Sequence, residues 1–252
     1  MNENGFLLVN KPEGWTSHDV VGYLRRVTRI KRIGHAGTLD PFATGLLIVA
    51  IGRENTKRLD ELFKGLDKTY IATLHLGAVS DTFDKTGVIT DIRKQITNTN
   101  LTYEPSKKQI QNILASFIGE QDQLPPMHSA KKVGGKRLYK LARKGIEVER
   151  KPHHITLYTV ELIEYAFPLV KIQVRCSTGT YIRTLAHDIG QKLGVGAYCE
   201  ALERTHIGEY SVDKATPIKN FSRDTWRDHF FTVKNSFLKR VISSIVSFVS
   251  DT

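Results

Sequence analysis

Apolar positions recur along this chain at two periods, and the period changes every ten to fifteen residues or so. Residues 5–10 hold the run Phe6, Leu7, Leu8 and Val9, which stops at the turn-forming cluster Lys11-Pro12-Glu13-Gly14 and predicts a short strand. Helical spacing follows in Val20, Tyr23, Leu24 and Val27, with Ser17 as the expected N-cap and Arg25, Arg26 and Arg29 on other faces. The β-branched-rich run at 46–51, bounded by Gly45 and Gly52, predicts a buried strand. A short helix is expected at 53–63. Residues 68–76 alternate, with Tyr70, Ala72, Leu74 and Leu76 on one face of a predicted strand.

A helix at 105–118 is predicted to turn Ile110, Ile113, Leu114, Phe117 and Ile118 to one side. Strands are expected at 154–165 and 169–176, the second alternating Val170, Ile172 and Val174 with Lys171, Gln173 and Arg175. Ser177-Thr178-Gly179-Thr180 is a turn that leads into a further helix. Near the end, Phe237, Leu238, Val241, Ile242, Ile245, Val246 and Val249 predict an amphipathic helix at 234–250, packed on the rest of the chain. No internal repeat is evident, and the irregular alternation of elements favours an α+β fold over a doubly wound parallel sheet.

Composition narrows the partner. The 252 residues can form one large domain or two small ones. Lys and Arg number 37 against 26 acids, giving +11 and a pI near 9.6, a balance that suits a polyanion, nucleic acid before an anionic membrane surface. The excess concentrates at 131–151, where nine basic residues face only Glu147 and Glu149. Leu138 and Leu141 recur among those charges on a short predicted helix stopped by Gly145, so the segment should fold and present a basic surface. Cys176 and Cys199 match neither a zinc spacing nor a redox pair and read as reduced core residues. No secretory pattern and no apolar run of about 20 residues is present, so a cytoplasmic protein is expected. Walker A and dinucleotide fingerprints are lacking.

The densest chemical signal is at 33–45. Gly34, Gly37 and Gly45 surround a single carboxylate, Asp40, and Pro41 keeps it in extended backbone, so Asp40 should project from a stiff loop anchored by the 46–51 strand. An isolated Asp-Pro would be read as a capping turn, Tyr70 as a core tyrosine and Arg183 as a surface helix cation. Asp81 and Asp84 lack the carboxylate pattern of a calcium loop and read as a solvated turn, not a metal site.

Several stretches together carry a resemblance. Gly34-His35-Ala36-Gly37-Thr38-Leu39-Asp40-Pro41 followed by Ala43-Thr44-Gly45, with Asn10-Lys11-Pro12, Gly14-Trp15-Thr16-Ser17 and Lys68-Thr69-Tyr70-Ile71-Ala72, resembles the motifs of the TruB family of tRNA pseudouridine synthases. Ser177-Thr178-Gly179-Thr180-Tyr181-Ile182-Arg183-Thr184-Leu185 and Leu202-Glu203-Arg204-Thr205 with Gly208 extend it, Tyr210 standing where phenylalanine is more usual. Pro125-Pro126-Met127-His128-Ser129-Ala130-Lys131, Gly135-Lys136 and Gly145-Ile146-Glu147-Val148 resemble the thumb with which stand-alone members grip the tRNA T loop.

The resemblance spans about 5–212 and implies the pseudouridine synthase fold, a mixed, largely antiparallel sheet with flanking helices and a central RNA-binding cleft. It implies that Asp40 is the catalytic aspartate, paired with Arg183, that Tyr70, Tyr181 and Leu202 line the site, and that His35 helps hold the rearranged loop. Lys131, Lys132, Lys136 and Arg137 would contact tRNA. The implied reaction isomerises a flipped-out T-loop uridine without metal or cofactor, and with no guide RNA and no membrane partner. A monomer is expected. The domain expectation is a catalytic unit at 1–212, including the thumb at about 125–151, and an extension at 213–252 too short for a complete PUA domain. The competing reading is a non-catalytic tRNA-binding or folding protein of the same fold, against which the presence of Asp40, Tyr70, Tyr181 and Arg183 argues.

Overall fold

A computed structural model describes residues 4–92, 104–129, 131–142 and 145–233, with backbone alone described at some thumb positions. In chain order the elements are β1 (Gly5–Lys11), α1 (Ser17–Thr28), β2 (Ile33–Ala36), β3 (Thr44–Ile51), α2 (Arg53–Leu59), β4 (Lys68–Leu76), β5 (Ala78–Ser80), β6 (Ile89–Asp91) and α3 (Lys107–Ala115). There follow β7 (Gly119–Gln123), β8 (Lys132–Val133), β9 (Lys136–Arg137), α4 (Leu138–Ala142), β10 (His153–Ala166) and β11 (Leu169–Cys176). Last come α5 (Ile182–Leu193), β12 (Ala197–Ile207), β13 (Tyr210–Ser211), β14 (Thr216–Pro217) and β15 (Phe230–Phe231).

One mixed sheet runs β14-β1-β3-β12-β4-β11-β10-β7. All its strand pairs are antiparallel except β1 with β14 and β3 with β12. The α+β expectation is met. β3 is covered on both faces: Leu47, Val49 and Ile51 pack against α1, whereas Leu46, Ile48 and Ala50 pack against Leu59, Leu62 and Phe63. Double coverage is why its sequence is a continuous apolar run and not an alternating one. β4 and β11 alternate because α3 and α5 cover one face only.

The β3–β12 contact is brief. Only Glu203 pairs with Thr44 and Arg204 with Gly45, after which β2 takes over the same edge of β3 from Ile48 to Ile51. The connection from β2 to β3 therefore emerges where β12 and β2 part, and Asp40 lies on it.

Four local expectations need correction. Thr16, not Ser17, caps α1, because Thr16 and Asp19 form a reciprocal capping box: the Asp19 amide donates to Thr16 Oγ1 at 3.0 Å and the Thr16 amide to Asp19 Oδ2 at 2.8 Å. Gly34 is not a turn residue but sits in β2 against the side chain of Leu59. The 53–63 helix ends at Leu59 and continues as a wider π turn over Asp60–Lys64. Ile118 lies beyond α3 and is 51 % exposed, since the helix stops at Ala115.

Residues 213–233 return along β1, where β14 and β15 pair and Ile218, Phe221 and Trp226 are buried against α1. The amphipathic helix expected at 234–250 lies outside the described residues. Cys176 and Cys199 are free and buried, as expected. Among the described residues no helix is long and apolar enough to cross a membrane.

Trp226 is 1 % exposed, so Trp226→Ala should cost about 3–5 kcal/mol by leaving a cavity beneath α1. Urea denaturation reads this directly. An unchanged midpoint would mean that the 213–233 segment contributes nothing to the core.

Candidate active site

The Asp40 loop is pinned from the β1–α1 turn before any side chain of the site is placed. Lys11 is fully buried, and its ammonium donates to the carbonyls of Trp15 at 2.7 Å, Pro12 at 2.9 Å and Pro41 at 3.4 Å. Burial pulls its pKa down to about 8. The Gly14 amide donates to Pro41 O at 2.8 Å. Ser17, freed from capping, takes both backbone groups of Leu39: the Leu39 amide donates to its hydroxyl at 2.9 Å, and the hydroxyl donates to Leu39 O at 3.3 Å. Leu39 and Pro41, the neighbours of Asp40 on either side, are thus held by bonds from α1, from β1 and from the turn between them.

Arg183, in the first turn of α5, meets Asp40 side-on. Its Nε lies 2.9 Å from Asp40 Oδ2 and its Nη2 3.3 Å from Oδ1, the two-pronged geometry of a guanidinium on a carboxylate. The remaining donors go to Asp84 Oδ2 at 3.0 Å, Thr82 O at 2.9 Å and His128 O at 2.8 Å. A guanidinium carries five N–H groups; here Nη1 and Nη2 have two acceptors each, and Nε lies in ion-pair contact with Asp40. Arg183 is 3 % exposed, which overturns the surface-cation alternative.

Asp84 corrects a second expectation. It is not in a solvated turn; it is 3 % exposed and bonded to Arg183, to the Thr82 hydroxyl at 2.9 Å and to the Thr86 amide at 2.9 Å. Turn composition around it is genuine, but a buried arginine 99 residues away in sequence claims the carboxylate. Arg183 therefore stands between two carboxylates, one enclosed and one with 37 % of its side-chain surface open to the cleft, Asp40.

That open carboxylate borders two cavities. One, of about 290 Å³, is lined by Asp40, Tyr70, Tyr181, Arg183, Leu202 and Arg204, with Lys68 and the Ser177–Thr180 turn at its sides. The other, of about 520 Å³, lies toward Thr16, His18, Thr86 and His128. Removal from bulk water pushes the Asp40 carboxyl above its ordinary value, and the Asp84 charge adds to this, while Arg183 and Lys11 oppose it. Burial likewise raises the Tyr70 and Tyr181 phenols. Tyr181 is fixed through its backbone: its amide donates to Gln123 Oε1 at 2.8 Å, and Gln123 Nε2 donates to its carbonyl at 3.0 Å.

The structure thus brings together Asp40, Tyr70, Tyr181, Arg183 and Leu202. His35 is set apart from both cavity linings, on β2, edge-on to His18 with ring centres 5.6 Å apart. Burial lowers its pKa to about 4, so it is neutral at pH 7. The thumb segment fills the link between β7 and β10 and contains the β8–β9 hairpin and α4. Lys131 is half-buried at its start, and its carbonyl accepts from the Leu138 amide at 2.8 Å. Lys132, Lys136 and Arg137 lie on β8 and β9, but their side chains, like Arg143 and Lys144 entire, lie outside the described residues. Sequence reasoning missed the roles of Asp84, Gln123 and the buried Arg204, although Arg204 lay in a recognised motif.

Comparison with known proteins identifies the family. The profile of the TruB family pseudouridylate synthase (N terminal domain) matches residues 25–182, and that of the tRNA pseudouridylate synthase B C-terminal domain matches 183–250. The chain is 46% identical over 213 residues to a tRNA pseudouridine synthase B of Opitutus terrae, covering 84% of each chain. It is 40% identical over 236 residues to that of Clostridium tetani, covering 94% of this chain and 78% of the other. Among solved structures, a Cbf5-Nop10-Gar1 complex superposes with a TM-score of 0.65 at 26% identity, over 90% of this chain and 56% of that one, so this chain spans little more than half of that relative. These matches define a pseudouridine synthase, an isomerase of RNA uridine. Within that class the chain belongs to the TruB family, whose curated relatives modify tRNA.

If the Asp84–Arg183 bond sets the angle at which Arg183 meets Asp40, Asp84→Asn should slow pseudouridine formation by about 10-fold or more while tRNA affinity stays within about 3-fold. Single-turnover rates and filter binding test this. Equal losses in both would make Asp84 a binding residue.

Proposed function

We propose that this enzyme converts a T-loop uridine of tRNA to pseudouridine at Asp40, on a base flipped out of its stack. The carrying observation is the bidentate Arg183–Asp40 pair beside a cavity lined by Tyr70 and Leu202. A cavity of about 290 Å³ takes one base and excludes a paired or stacked one, so entry requires flipping. The Tyr70 ring and the Leu202 side chain offer apolar surface to the faces of a uracil, and Arg183 holds the carboxylate toward the sugar.

The reaction is an isomerisation: the bond from ribose C1′ to uracil N1 breaks, the base turns within the cavity, and C1′ bonds to C5. The proton lost from C5 is balanced by one gained at N1, so no electrons enter or leave. Both roles open to Asp40, addition to a carbon of the substrate and removal of a ribose proton, need an ionised carboxylate. Arg183 supplies the countercharge that favours this form, against the burial that opposes it. The basic thumb, rooted at His128 and Ser129 on the cleft, accounts for tRNA gripping by loop shape and phosphate contact.

Asp40→Asn should abolish pseudouridine formation and leave tRNA binding within about 3-fold, because one carboxylate counts little among many phosphate contacts. Since the Asp40 pKa is raised, the wild-type rate should fall on the acid side at a pH above the ordinary carboxylate value of about 4, as protonation removes the reacting form. Pseudouridine mapping after incubation with unmodified transcript reads both. Equal yields from mutant and wild type would remove Asp40 from the chemistry.

Replacing Lys131, Lys132, Lys136 and Arg137 together by alanine should weaken tRNA binding and flatten its salt dependence, the log–log slope falling by about 0.7–0.9 for each phosphate that is no longer neutralised. Turnover at saturating tRNA should suffer less. An unchanged salt slope would make the stretch a solvated face.

A further inference from the structure

Arg204 projects from β12 into the body of the protein and is 1 % exposed, yet its described partners are carbonyl oxygens and not a carboxylate. Burying a guanidinium costs several kcal/mol unless its donors are satisfied, so the identity of those acceptors carries information. Nε donates to Leu46 O at 2.8 Å, and Nη2 donates to Gly37 O at 3.0 Å. Gly37 lies three residues before Asp40 and Leu46 six after it. Burial raises the pKa of the Tyr70 phenol, and the Arg204 charge also bears on it, pulling that pKa down.

Two glycines of the loop are shaped to this arginine. A Cβ at Gly37, where φ is +73°, would stand 3.3 Å from Arg204 Nη1. A Cβ at Gly45 would stand 2.4 Å from Arg204 O, in the two-residue parallel contact between β3 and β12. Side chain and backbone of one residue therefore press on Gly37 and Gly45, at opposite ends of the segment that bears Asp40.

We propose that Arg204 is a positioning residue for the isomerisation: its guanidinium staples the two ends of the 37–46 loop and so fixes Asp40 against Arg183 and Tyr70. The assignment rests on Asp40 being the reacting carboxylate, as proposed above. Arg204 itself acts through the loop, not on the bond that breaks.

The test is a double-mutant cycle of Arg204→Met and Gly37→Ala, read by single-turnover pseudouridine formation at saturating tRNA, by tRNA binding, and by amide hydrogen exchange at 37–46. Arg204→Met should lower the rate constant about 100-fold with tRNA affinity within about 3-fold, Arg204→Lys should recover part of the loss, and the double variant should be little worse than Arg204→Met alone, since both act on one turn. Exchange at 37–46 should rise in Arg204→Met. The proposal is overturned by a rate within about 3-fold of wild type, by rate losses that multiply in the double variant, by a binding loss that accounts for the rate loss, or by unchanged exchange. Should Arg204→Met not fold, Arg204→Lys runs the same cycle. A wild-type protein without activity would defeat the proposed function alone, because the exchange measurement still decides whether the staple exists.

Discussion

The guanidinium of Arg183 is the point on which this architecture converges. It is buried, it has five donors, and it takes its acceptors from three separate segments: the β2–β3 loop at Asp40, the turn after β5 at Thr82 and Asp84, and the thumb root at His128. A buried donor without a partner costs about 1–3 kcal/mol, so each segment must reach its place for the others to be tolerated. The fold meets this demand by seating α5 on the sheet face shared with β4, β11 and β12, and by fixing the residue before it, Tyr181, through Gln123 of β7.

Opposite charges are distributed unequally around that centre. Asp84 is enclosed and turns its oxygens to Arg183, Thr82 and Thr86, whereas Asp40 keeps a third of its surface on the cleft. The enclosed carboxylate neutralises much of the guanidinium and leaves the open one incompletely compensated. Asp40 is thereby less comfortable as an anion than an exposed aspartate, in keeping with the upward pull on its pKa. A carboxylate in that condition has something to gain from reacting.

Elements whose burial is decided locally were legible in the sequence. The strands at 68–76 and 169–176 stand where alternation put them, and the run at 46–51 is buried because both faces of β3 are covered. The pairing of Arg183 with Asp40 was expected only through resemblance, and geometry supports it. What escaped were features set by distant partners. Asp84 has the composition of a surface turn and is buried by α5; Ser17 looks like a cap and instead holds Leu39; β2 contains Gly34 and His35, neither a strand former, and is made a strand by the edge of β3. Arg204 is a charged residue in a strand, and no local pattern says that its side chain points inward.

The hydrogen bond from Arg183 to His128 O ties the root of the arm proposed to hold the RNA to the carboxylate proposed to act on it. Displacing the thumb root by an ångström strips an acceptor from a guanidinium that is almost wholly buried, a penalty of about 1–3 kcal/mol, or roughly 5- to 150-fold in rate if it falls on the reacting state. An RNA that docks with the thumb out of register is thus slowed at the chemical step as well as weakened at the surface. On the proposed function, fidelity toward substrate shape is in this way wired into the catalytic centre, and needs no separate sensor.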